Sequence, residues 1–551
     1  MNEVLYIGPP GSGKSTHVIR QVELAIQKYG PDKVMLCSLT KAAARELASR
    51  ESSVNPDMIG TLHAHAFRGL GRPRLAETKE GIASWNDDHP ALLISATAVS
   101  PDNDAAGEAS VEGKGRGDEY LQKVNLLRAR CVAPERWPTL AREFYQQWCD
   151  WKKAAERVDF ADLIDEAMVR LFTAPGSPNV IFADEAQDLS KAEHKLLSKW
   201  ATKADSFVVV GDPDQSLFHW RGADPDIMDI NRVPKENVRI LSQSYRVPKA
   251  VHSAAMGLIG SIKDRAVVEY KPTEVEGFVL KSAATYENFF PVKDIILEHL
   301  DSGKSLMFLT SCAYMLNPII KWLKDEGVPF GNPYASRWNP LVSAGTTKAI
   351  QLYDYLEPSK DYNKSPKFWS PAQLKTALHK VKSTGVLKRG WKKQLDAVKD
   401  DISKEDFALV VRDIFEEEAL PKFLSFDLDW YKSLFGKAMD YPVSIVKRRG
   451  RQALLKRPQV TVGTIHSVKG GESDIVFLFP DLSYQGFLQN GQQGFGGRDA
   501  IKRMFYVGMT RAREGLILCK PCGSRYVKLG EGVVHRPRIR AGKTDNEVAE
   551  A

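Results

Sequence analysis

The sequence predicts an α/β protein in which two parallel sheets are each interrupted by a mainly helical insertion. One observation is a short apolar run at residues 4–7, followed by a glycine-rich turn and a helical pattern at residues 15–28, which is typical of a β-loop-α unit. Another is that similar apolar runs recur and alternate with helical patterns in two parts of the chain. Strands that alternate with helices predict a parallel sheet covered on both faces.

The apolar runs fall into two groups, separated by a predicted helix that follows Tyr245. The strands predicted for the first sheet are residues 4–7, 34–39, 180–183 and 207–210. The strands predicted for the second sheet are residues 278–281, 306–310, 460–463, 475–479 and 516–519.

Two long segments interrupt these groups. Residues 71–158 contain a polar stretch at 100–118, which predicts a mobile loop, and then helical patterns. Residues 331–459 are helix-like and rich in lysine, and they include the basic run KRRGR at 447–451. That run is either a solvated helix end or a nucleic-acid contact, and the sequence leaves both open. The tail at 531–551 is polar and predicts disorder.

Composition excludes several classes of protein. The chain has 551 residues, of which 43% are hydrophobic and 26% charged, and no apolar run approaches the ~18 residues that span a bilayer. We therefore expect no membrane role, and the first residues lack the pattern of a signal peptide. Six cysteines are too few for a disulfide framework, so the cytoplasm is the predicted location. The net charge of +8 suits a polyanionic partner.

The sequence GPPGSGKS at residues 8–15 matches the GxxxxGK[ST] pattern of a phosphate-binding loop, and it lies between a predicted strand and a predicted helix. Glycines let backbone N–H groups surround phosphate oxygens, the Lys14 amine adds positive charge at the β and γ phosphates, and the Ser15 hydroxyl ligates Mg²⁺. We therefore expect ATP and Mg²⁺ as cofactors. The residues predicted to bind the nucleotide here are Gly8, Pro9, Pro10, Gly11, Ser12, Gly13, Lys14, Ser15 and Thr16.

The sequence VIFADEAQD at residues 180–188 predicts a strand that ends in two adjacent carboxylates. Asp184 suits the Mg²⁺ shell, and Glu185 suits polarising an attacking water. An acidic pair after an apolar strand is by itself often a solvated turn. Beside a phosphate-binding loop it predicts a catalytic pair.

Further motifs follow in a fixed order along both halves of the chain. They are SLTKAAARE at 38–46, GTLHAHAF at 60–67, DFADL at 159–163, VGDPDQSLFHWRGA at 210–223, SYR at 244–246, TIHSVKGGE at 464–472 and YVGMTRAR at 506–513. Together with the loop and the acidic pair, they resemble the motifs of superfamily 1 DNA helicases of the UvrD/Rep/PcrA type. The resemblance implies two RecA-like motor domains with ATP bound between them.

On the nucleotide side, the resemblance implies that Gln215 senses the γ-phosphate, Tyr245 stacks on adenine and Glu472 lies at the ribose. It implies that Arg246 and Arg511 reach the transferring phosphoryl group when the domains close. The implied catalytic set is Lys14, Asp184, Glu185, Gln215, Arg246 and Arg511.

The sequence departs from the family pattern at several points. Ser244 stands where the family has asparagine, Gly471 where it has leucine, and Thr16 where relatives often carry arginine. Only seven residues precede Gly8, where relatives have a glutamine-containing adenine-recognition segment. Adenine recognition is therefore expected to depend on Tyr245.

On the strand side, the resemblance implies contacts with single-stranded DNA. The implied residues are Thr40, Thr61, His63, Phe218, Trp220, Arg221, Thr464 and His466. Phe218 and Trp220 alternate along one segment, and such rings stack on unpaired bases for about 1–3 kcal/mol each. The alternative is that both rings belong to the core.

The implied function is an ATP-dependent helicase that moves 3′ to 5′ on single-stranded DNA and separates strands at duplex junctions. A translocase that displaces proteins with little unwinding stays open, as does RNA as the track. A non-enzymatic nucleotide-gated protein is disfavoured because the catalytic set is complete. Family motors commonly act as monomers, and partners from replication or repair are expected. The predicted regions are motor domain 1 at 1–70 and 159–278, its insertion at 71–158, motor domain 2 at 279–330 and 460–530, its insertion at 331–459, and the tail at 531–551.

Overall fold

A computed structural model gives the fold. It describes residues 2–38, 54–95, 115–332 except 264, 378, 384–398, 402–419, 421–422, 440–450, 453, and 456–530 except 495. Thr40 and nearly all of the motif at 38–46 lie outside the described residues, as does the predicted tail. The predicted loop at 100–118 is described only from residue 115, where a helix is already beginning, so that prediction extended too far.

The chain forms two compact units by its internal contacts. The first comprises Met1–Glu298, Leu306–Leu316 and Gly463–Ala551, and the second comprises His299–Ser305 and Asn317–Val462. The first unit contains one whole sheet and most strands of another. The units therefore do not test the domain boundaries expected from the sequence, which stay a prediction.

The first sheet is entirely parallel and has the strand order β3-β2-β4-β5-β1-β6. Its strands are β1 (Asn2–Ile7), β2 (Val34–Cys37), β3 (Ile59–Gly60), β4 (Val180–Ala183), β5 (Ser206–Gly211) and β6 (Val238–Ile240). All residues of β2 and β4 are buried, which explains their continuous apolar runs. Because parallel strands end at the same edge, the residues that follow β1, β4 and β5 lie together.

The second sheet is also parallel. Its strands are β7 (Phe278–Lys281), β8 (Leu306–Thr310), β9 (Phe330–Gly331), β10 (Val460–Thr464), β11 (Ser473–Leu478) and β12 (Ala512–Leu518). The first unit contains the order β7-β12-β11-β8, and β9 pairs with β10 in the second unit. Two parallel sheets with flanking helices confirm the predicted RecA-like α/β class. The short strands β3, β6 and β9 were not predicted.

Helices flank both sheets. In the first part of the chain they are α1 (Lys14–Tyr29), α2 (Leu62–Gly69), α3 (Lys79–Asp88), α4 (Arg116–Ala129), α5 (Thr139–Ala154), α6 (Phe160–Arg170), α7 (Lys191–Ala201) and α8 (Lys249–Ile259). Further along they are α9 (Lys293–Asp301), α10 (Leu316–Asp325), α11 (Trp391–Asp396), α12 (Lys404–Ile414), α13 (Asp440–Arg449), α14 (Tyr484–Gly491) and α15 (Arg498–Met509). Among the described residues, no helix is long and apolar enough to cross a membrane.

The first insertion has a hydrophobic core of its own. Helices α3, α4 and α5 enclose an aromatic cluster in which Trp85 meets Trp148 edge to face, with ring centroids 5.0 Å apart. Such pairs stabilise a core beyond the area they bury. This cluster is separate from the apolar core beneath the first sheet. The described helices agree with the helical patterns predicted for this segment.

Candidate active site

The phosphate loop, residues 8–15, joins β1 to α1. Gly11 and Gly13 have φ values of +75° and +76°, a region that favours glycine. A Cβ atom at Gly8 would lie 2.4 Å from Cγ of Lys14, so the close turn requires glycine there as well. Among the described residues, the buried Ser12 hydroxyl has no hydrogen-bond partner. These features suit a loop that wraps around phosphate oxygens.

A second segment, residues 244–246, packs directly against this loop. The carbonyl oxygen of Pro10 accepts hydrogen bonds from the hydroxyls of Ser244, at 2.9 Å, and Tyr270, at 3.0 Å. The Tyr245 backbone N–H donates to the Gly11 carbonyl at 2.8 Å, while its ring is 78% exposed. Ser244, which departs from the family pattern, thus has a defined role in holding the loop, and the open ring of Tyr245 is available for a nucleobase.

The acidic motif, residues 184–188, begins at the end of β4. Asp184 is buried, and one of its oxygens accepts a hydrogen bond from the backbone N–H of Glu185 at 2.9 Å. Burial and the neighbouring Glu185 raise the pKa of Asp184 to about 7. Burial would also raise the pKa of Glu185, but the cations of Lys469 and Lys14 outweigh it and lower that pKa to about 2. The two adjacent carboxylates therefore differ in character, as different roles require.

The donor set fits Mg²⁺. Hydroxyl and carboxylate oxygens are the ligands that this cation prefers, and Ser15 and Asp184 supply one of each. A buried carboxylate whose pKa is raised by an adjacent carboxylate gains from a cation beside it. That Ser15 and Asp184 hold Mg²⁺ stays a prediction that this chemistry supports.

One glutamine joins the ends of β4 and β5. The side-chain oxygen of Gln187 accepts a hydrogen bond from the Asp212 backbone N–H at 2.9 Å, and its nitrogen donates to Glu185 at 2.6 Å. A Cβ atom at Gly211 would lie 2.3 Å from that side-chain oxygen, so a larger residue there would displace the Gln187 amide. Asp212 in turn accepts a hydrogen bond from Gln215 at 2.8 Å. Gln187 received no role in the sequence analysis.

Arg511 reaches this network from the far end of the sequence. Its guanidinium donates to the side-chain oxygen of Gln215 at 2.9 Å and to the carbonyls of Val507, at 3.0 Å, and Gly471, at 3.2 Å. The side chain is buried, with 2% of its surface exposed. Three hydrogen bonds fix the planar guanidinium in one orientation. The structure thus brings Gln215 into contact with Arg511, while the roles that the resemblance implies for them at the phosphoryl group stay a prediction.

Lys469 belongs to the site, although the sequence predicted no role for it. It lies within the motif at residues 464–472. Its amine lies 3.1 Å from the Glu185 carboxylate and forms an ion pair with Asp188. It also donates to the carbonyl of Gln215 at 3.3 Å. The signal that the sequence offered was a lysine within the motif that also contains Glu472, the residue expected at the ribose. Its position makes it the main counter-charge of the acidic motif in this structure.

Arg246 and Glu472 contact each other. The Arg246 guanidinium lies 2.6 Å from one carboxylate oxygen of Glu472, and the other oxygen lies 3.4 Å from Arg513. Burial would raise the pKa of Glu472, but Arg246 outweighs it and lowers that pKa. The implied phosphate contact and the implied ribose contact are therefore paired with each other in this structure.

The aromatic segment, residues 218–221, follows Gln215. Phe218 is only 1% exposed, and its ring centroid lies 6.3 Å from that of Trp220 and 6.1 Å from that of His466. Its ring is therefore part of the core here, which is the alternative that the sequence left open. Trp220 is half-buried, and its indole N–H has no acceptor among the described residues. The guanidinium of Arg221 lies 5.7 Å from the Phe218 ring.

The remaining residues expected at the strand have local roles. The Thr61 hydroxyl caps α2 by accepting from the Ala64 backbone N–H at 3.2 Å, and the Thr464 hydroxyl accepts from that of Ser467 at 3.2 Å. His63 Nδ1 lies 3.6 Å from the Glu193 carboxylate. Burial lowers the pKa of His466 to about 4, so that imidazole is neutral. These contacts leave a strand role for the four residues a prediction.

Comparisons with known proteins agree with this geometry. Residues 1–233 match the family model of the UvrD/REP helicase N-terminal domain, and residues 438–521 match that of the UvrD-like helicase C-terminal domain. The ATP-dependent DNA helicase Rep of Buchnera aphidicola is 21% identical over 93% of this chain and 91% of its own length. A probable DNA helicase II homolog of Mycoplasma capricolum is 23% identical over 94% and 82%. The ATP-dependent DNA helicase PcrA of Bacillus subtilis is 28% identical over 48% of this chain and 38% of its own length.

Proposed function

Because this chain belongs to the UvrD-like family of superfamily 1 helicases, we propose that it is an ATP-dependent DNA helicase that moves along single-stranded DNA. The observation that carries the proposal is that two cations from the last part of the sequence contact the acidic side of the site: Arg511 donates to the Gln215 amide, and Lys469 contacts the Glu185 carboxylate. We infer that binding and loss of the nucleotide change how these groups contact one another. Such a change is what couples hydrolysis to movement.

In the proposed mechanism, Lys14 and the backbone N–H groups of the phosphate loop bind the phosphates. Glu185 is ionised because its pKa is low, so its carboxylate can accept a hydrogen bond from the attacking water and orient it. Mg²⁺ held by Ser15 and Asp184 would neutralise charge on the phosphate oxygens. Arg511, already directed at Gln215, supplies positive charge to the transferring phosphoryl group.

Coupling to the strand would run through the segment that contains Gln215. This residue lies five positions before Trp220 in the same segment. A shift of Gln215 when the phosphoryl group leaves therefore displaces the indole ring. We propose that Trp220, with its half-exposed ring and an N–H that lacks an acceptor among the described residues, stacks on an unpaired base.

Several finer properties complete the proposal: the use of Mg²⁺ is supported by the hydroxyl and carboxylate donors, the cytoplasm by the low cysteine count, and the others by family resemblance. The finer properties are 3′ to 5′ polarity, strand separation at duplex junctions, the use of Mg²⁺, action as a monomer in the cytoplasm, and partners from replication or repair. Adenine selectivity is proposed to depend on the exposed ring of Tyr245.

The test begins with steady-state ATP hydrolysis by the full chain without nucleic acid, with single-stranded DNA, and with single-stranded RNA of equal length. We expect strong stimulation by DNA and little by RNA. If neither polymer changes the rate, the protein is not a motor coupled to a nucleic-acid strand. Stimulation by RNA alone would show that the protein acts on RNA and not on DNA.

Polarity and unwinding need a second assay. Duplexes with a 3′ tail, a 5′ tail or blunt ends are mixed with the protein and ATP, and strand release is measured. Release from the 3′-tailed duplex alone is expected. Displacement of a bound protein roadblock without strand release would instead establish the translocase alternative.

A further inference from the structure

We propose that the end of α4, residues 128–130, holds the aromatic segment in position for strand binding, and that Arg130 and Ala129 are positioning residues for Trp220. The inference rests on the proposed function and gives the first insertion a part in it. The end of α4 belongs to that insertion by sequence, whereas the aromatic segment lies between β5 and β6 of the first sheet. Contact between them would let the insertion influence how tightly a strand is bound.

The first contact is a hydrogen bond to the backbone within the aromatic segment. The Arg130 guanidinium donates to the carbonyl oxygen of His219 at 3.3 Å. His219 lies between Phe218 and Trp220 in the sequence. The bond therefore restrains the peptide unit that leads directly into Trp220.

The second contact is a close approach of small residues on the other side of Trp220. Gly222 has a φ of +93°, and a Cβ atom there would lie only 2.7 Å from Cβ of Ala129. Both residues must be small for the helix end to lie this close. His219 and Gly222 bracket Trp220, so α4 contacts the backbone before and after the indole.

The end of α4 is itself anchored by a buried ion cluster. The guanidinium of Arg128, which is 8% exposed, donates to Asp159 at 3.1 Å and to Asp162 at 2.7 Å. It also donates to Asp165 at 2.6 Å, and the amine of Lys152 contacts Asp159 at 2.6 Å. The three aspartates begin or lie within α6. Breaking such a buried cluster is strongly unfavourable, so the helix end cannot slide along α6.

The aromatic segment is thus restrained from two directions. Gln215 ties it to the nucleotide side, and residues 129 and 130 tie it to an anchored helix end. Loosening the second restraint leaves the nucleotide chemistry intact but lets the indole move away from the stacking position. The expected signature is weaker strand binding at an unchanged basal rate.

The test compares Arg130→Ala, the charge-neutral Ala129→Val, and Lys123→Ala as a control. Lys123 is an exposed cation two turns earlier on the same helix. We expect both Arg130→Ala and Ala129→Val to raise the DNA concentration that gives half-maximal ATPase stimulation by about fivefold. Basal ATPase should be unchanged in both variants. Lys123→Ala should shift the midpoint less than about twofold, and Arg130→Lys should keep most of the wild-type affinity for DNA.

Salt dependence separates positioning from a direct phosphate contact. If Arg130 binds a DNA phosphate, Arg130→Ala lowers the salt slope of DNA binding by about one, and Ala129→Val has no effect. Either result, or an unchanged midpoint in Arg130→Ala, would overturn the proposal. Circular dichroism shows whether Ala129→Val is folded. If it is not, the result for Arg130→Ala alone decides the proposal. A wild-type protein without DNA stimulation would instead refute the proposed function.

Discussion

Around the phosphate loop, side chains from distant parts of the chain meet through charged hydrogen bonds, whereas the aromatic segment is held by ring packing and by contacts to its backbone. Arg511 and Lys469 both reach the acidic side of the site from beyond residue 460. In the aromatic segment, Phe218 is buried and Trp220 is half-buried. Charged hydrogen bonds therefore determine the geometry around the phosphate loop, whereas packing determines the geometry of the aromatic segment.

This difference shows for which functional residues the sequence can predict the position. A charge-assisted hydrogen bond needs a particular donor and acceptor about 3 Å apart, so residue identity nearly determines position. An aromatic ring serves equally well in a core or beneath a base, and only its exposure distinguishes the two.

The largest effect is expected at the phosphate loop and acidic motif. Lys14→Ala removes the cation proposed to bind the phosphates, and Glu185→Gln removes the carboxylate proposed to orient water, so each should lower kcat about 1000-fold or more. Glu185→Gln should also trap an ATP-bound form that grips DNA. Steady-state hydrolysis and nucleotide-dependent DNA binding measure these effects. Lys28→Ala, an exposed cation on α1, is the control, and normal turnover in either site variant would overturn the assignment.

A smaller but still large loss is expected for Arg511→Lys. Lysine keeps the charge but cannot maintain three guanidinium hydrogen bonds, so kcat should fall about 100-fold with nucleotide binding retained. Arg513→Lys alters an arginine two positions away whose side chain is 43% exposed, and it should change kcat less than about threefold. Equal losses in both variants would show that the buried geometry of Arg511 is not what matters.

For the aromatic segment, Phe218→Ala tests packing. Removing a ring that is 1% exposed should lower the free energy of unfolding by about 3–5 kcal/mol. Chemical denaturation measures this loss, and Trp220→Ala, at a half-buried position, should cost clearly less. Unchanged stability in Phe218→Ala with lost DNA stimulation would mean that this ring leaves the core to bind the strand.

The smallest effect is expected for Trp220→Ala on strand affinity. Loss of one stacking ring should raise the half-saturating concentration of single-stranded DNA about tenfold, with basal ATPase largely intact. A DNA titration of the ATPase rate gives this value. An unchanged midpoint would assign Trp220 to the core together with Phe218.

The sequence predicted the long buried strands well because their apolar runs are continuous. The bounds of β4, β7 and β8 are those expected, since every residue of β4 and β8 is buried. The strands β3, β6 and β9 have only two or three residues, too few for a periodic pattern. The start of α4 was missed because its first turn is polar and begins with glycine-rich sequence.

The residues of the site also divide into those whose role the sequence predicted and those whose role it did not. The resemblance placed both Gln215 and Arg511 at the transferring phosphoryl group, although not in the contact with each other that the structure shows. It gave Lys469 and Gln187 no role, since their partners lie on strand ends whose proximity only the fold establishes. It could not tell Phe218 from Trp220, because burial depends on packing and not on residue type.

The backbone of Glu185 has a consequence for how this protein tolerates change. Its φ of +53° is a conformation that costs a non-glycine residue roughly 1 kcal/mol or more. Glycine at this position would relieve that cost but would remove the carboxylate proposed to orient the attacking water. Selection for thermal stability alone would therefore favour Glu185→Gly and give an inactive protein. Directed evolution of a more stable variant should keep glutamate at this position.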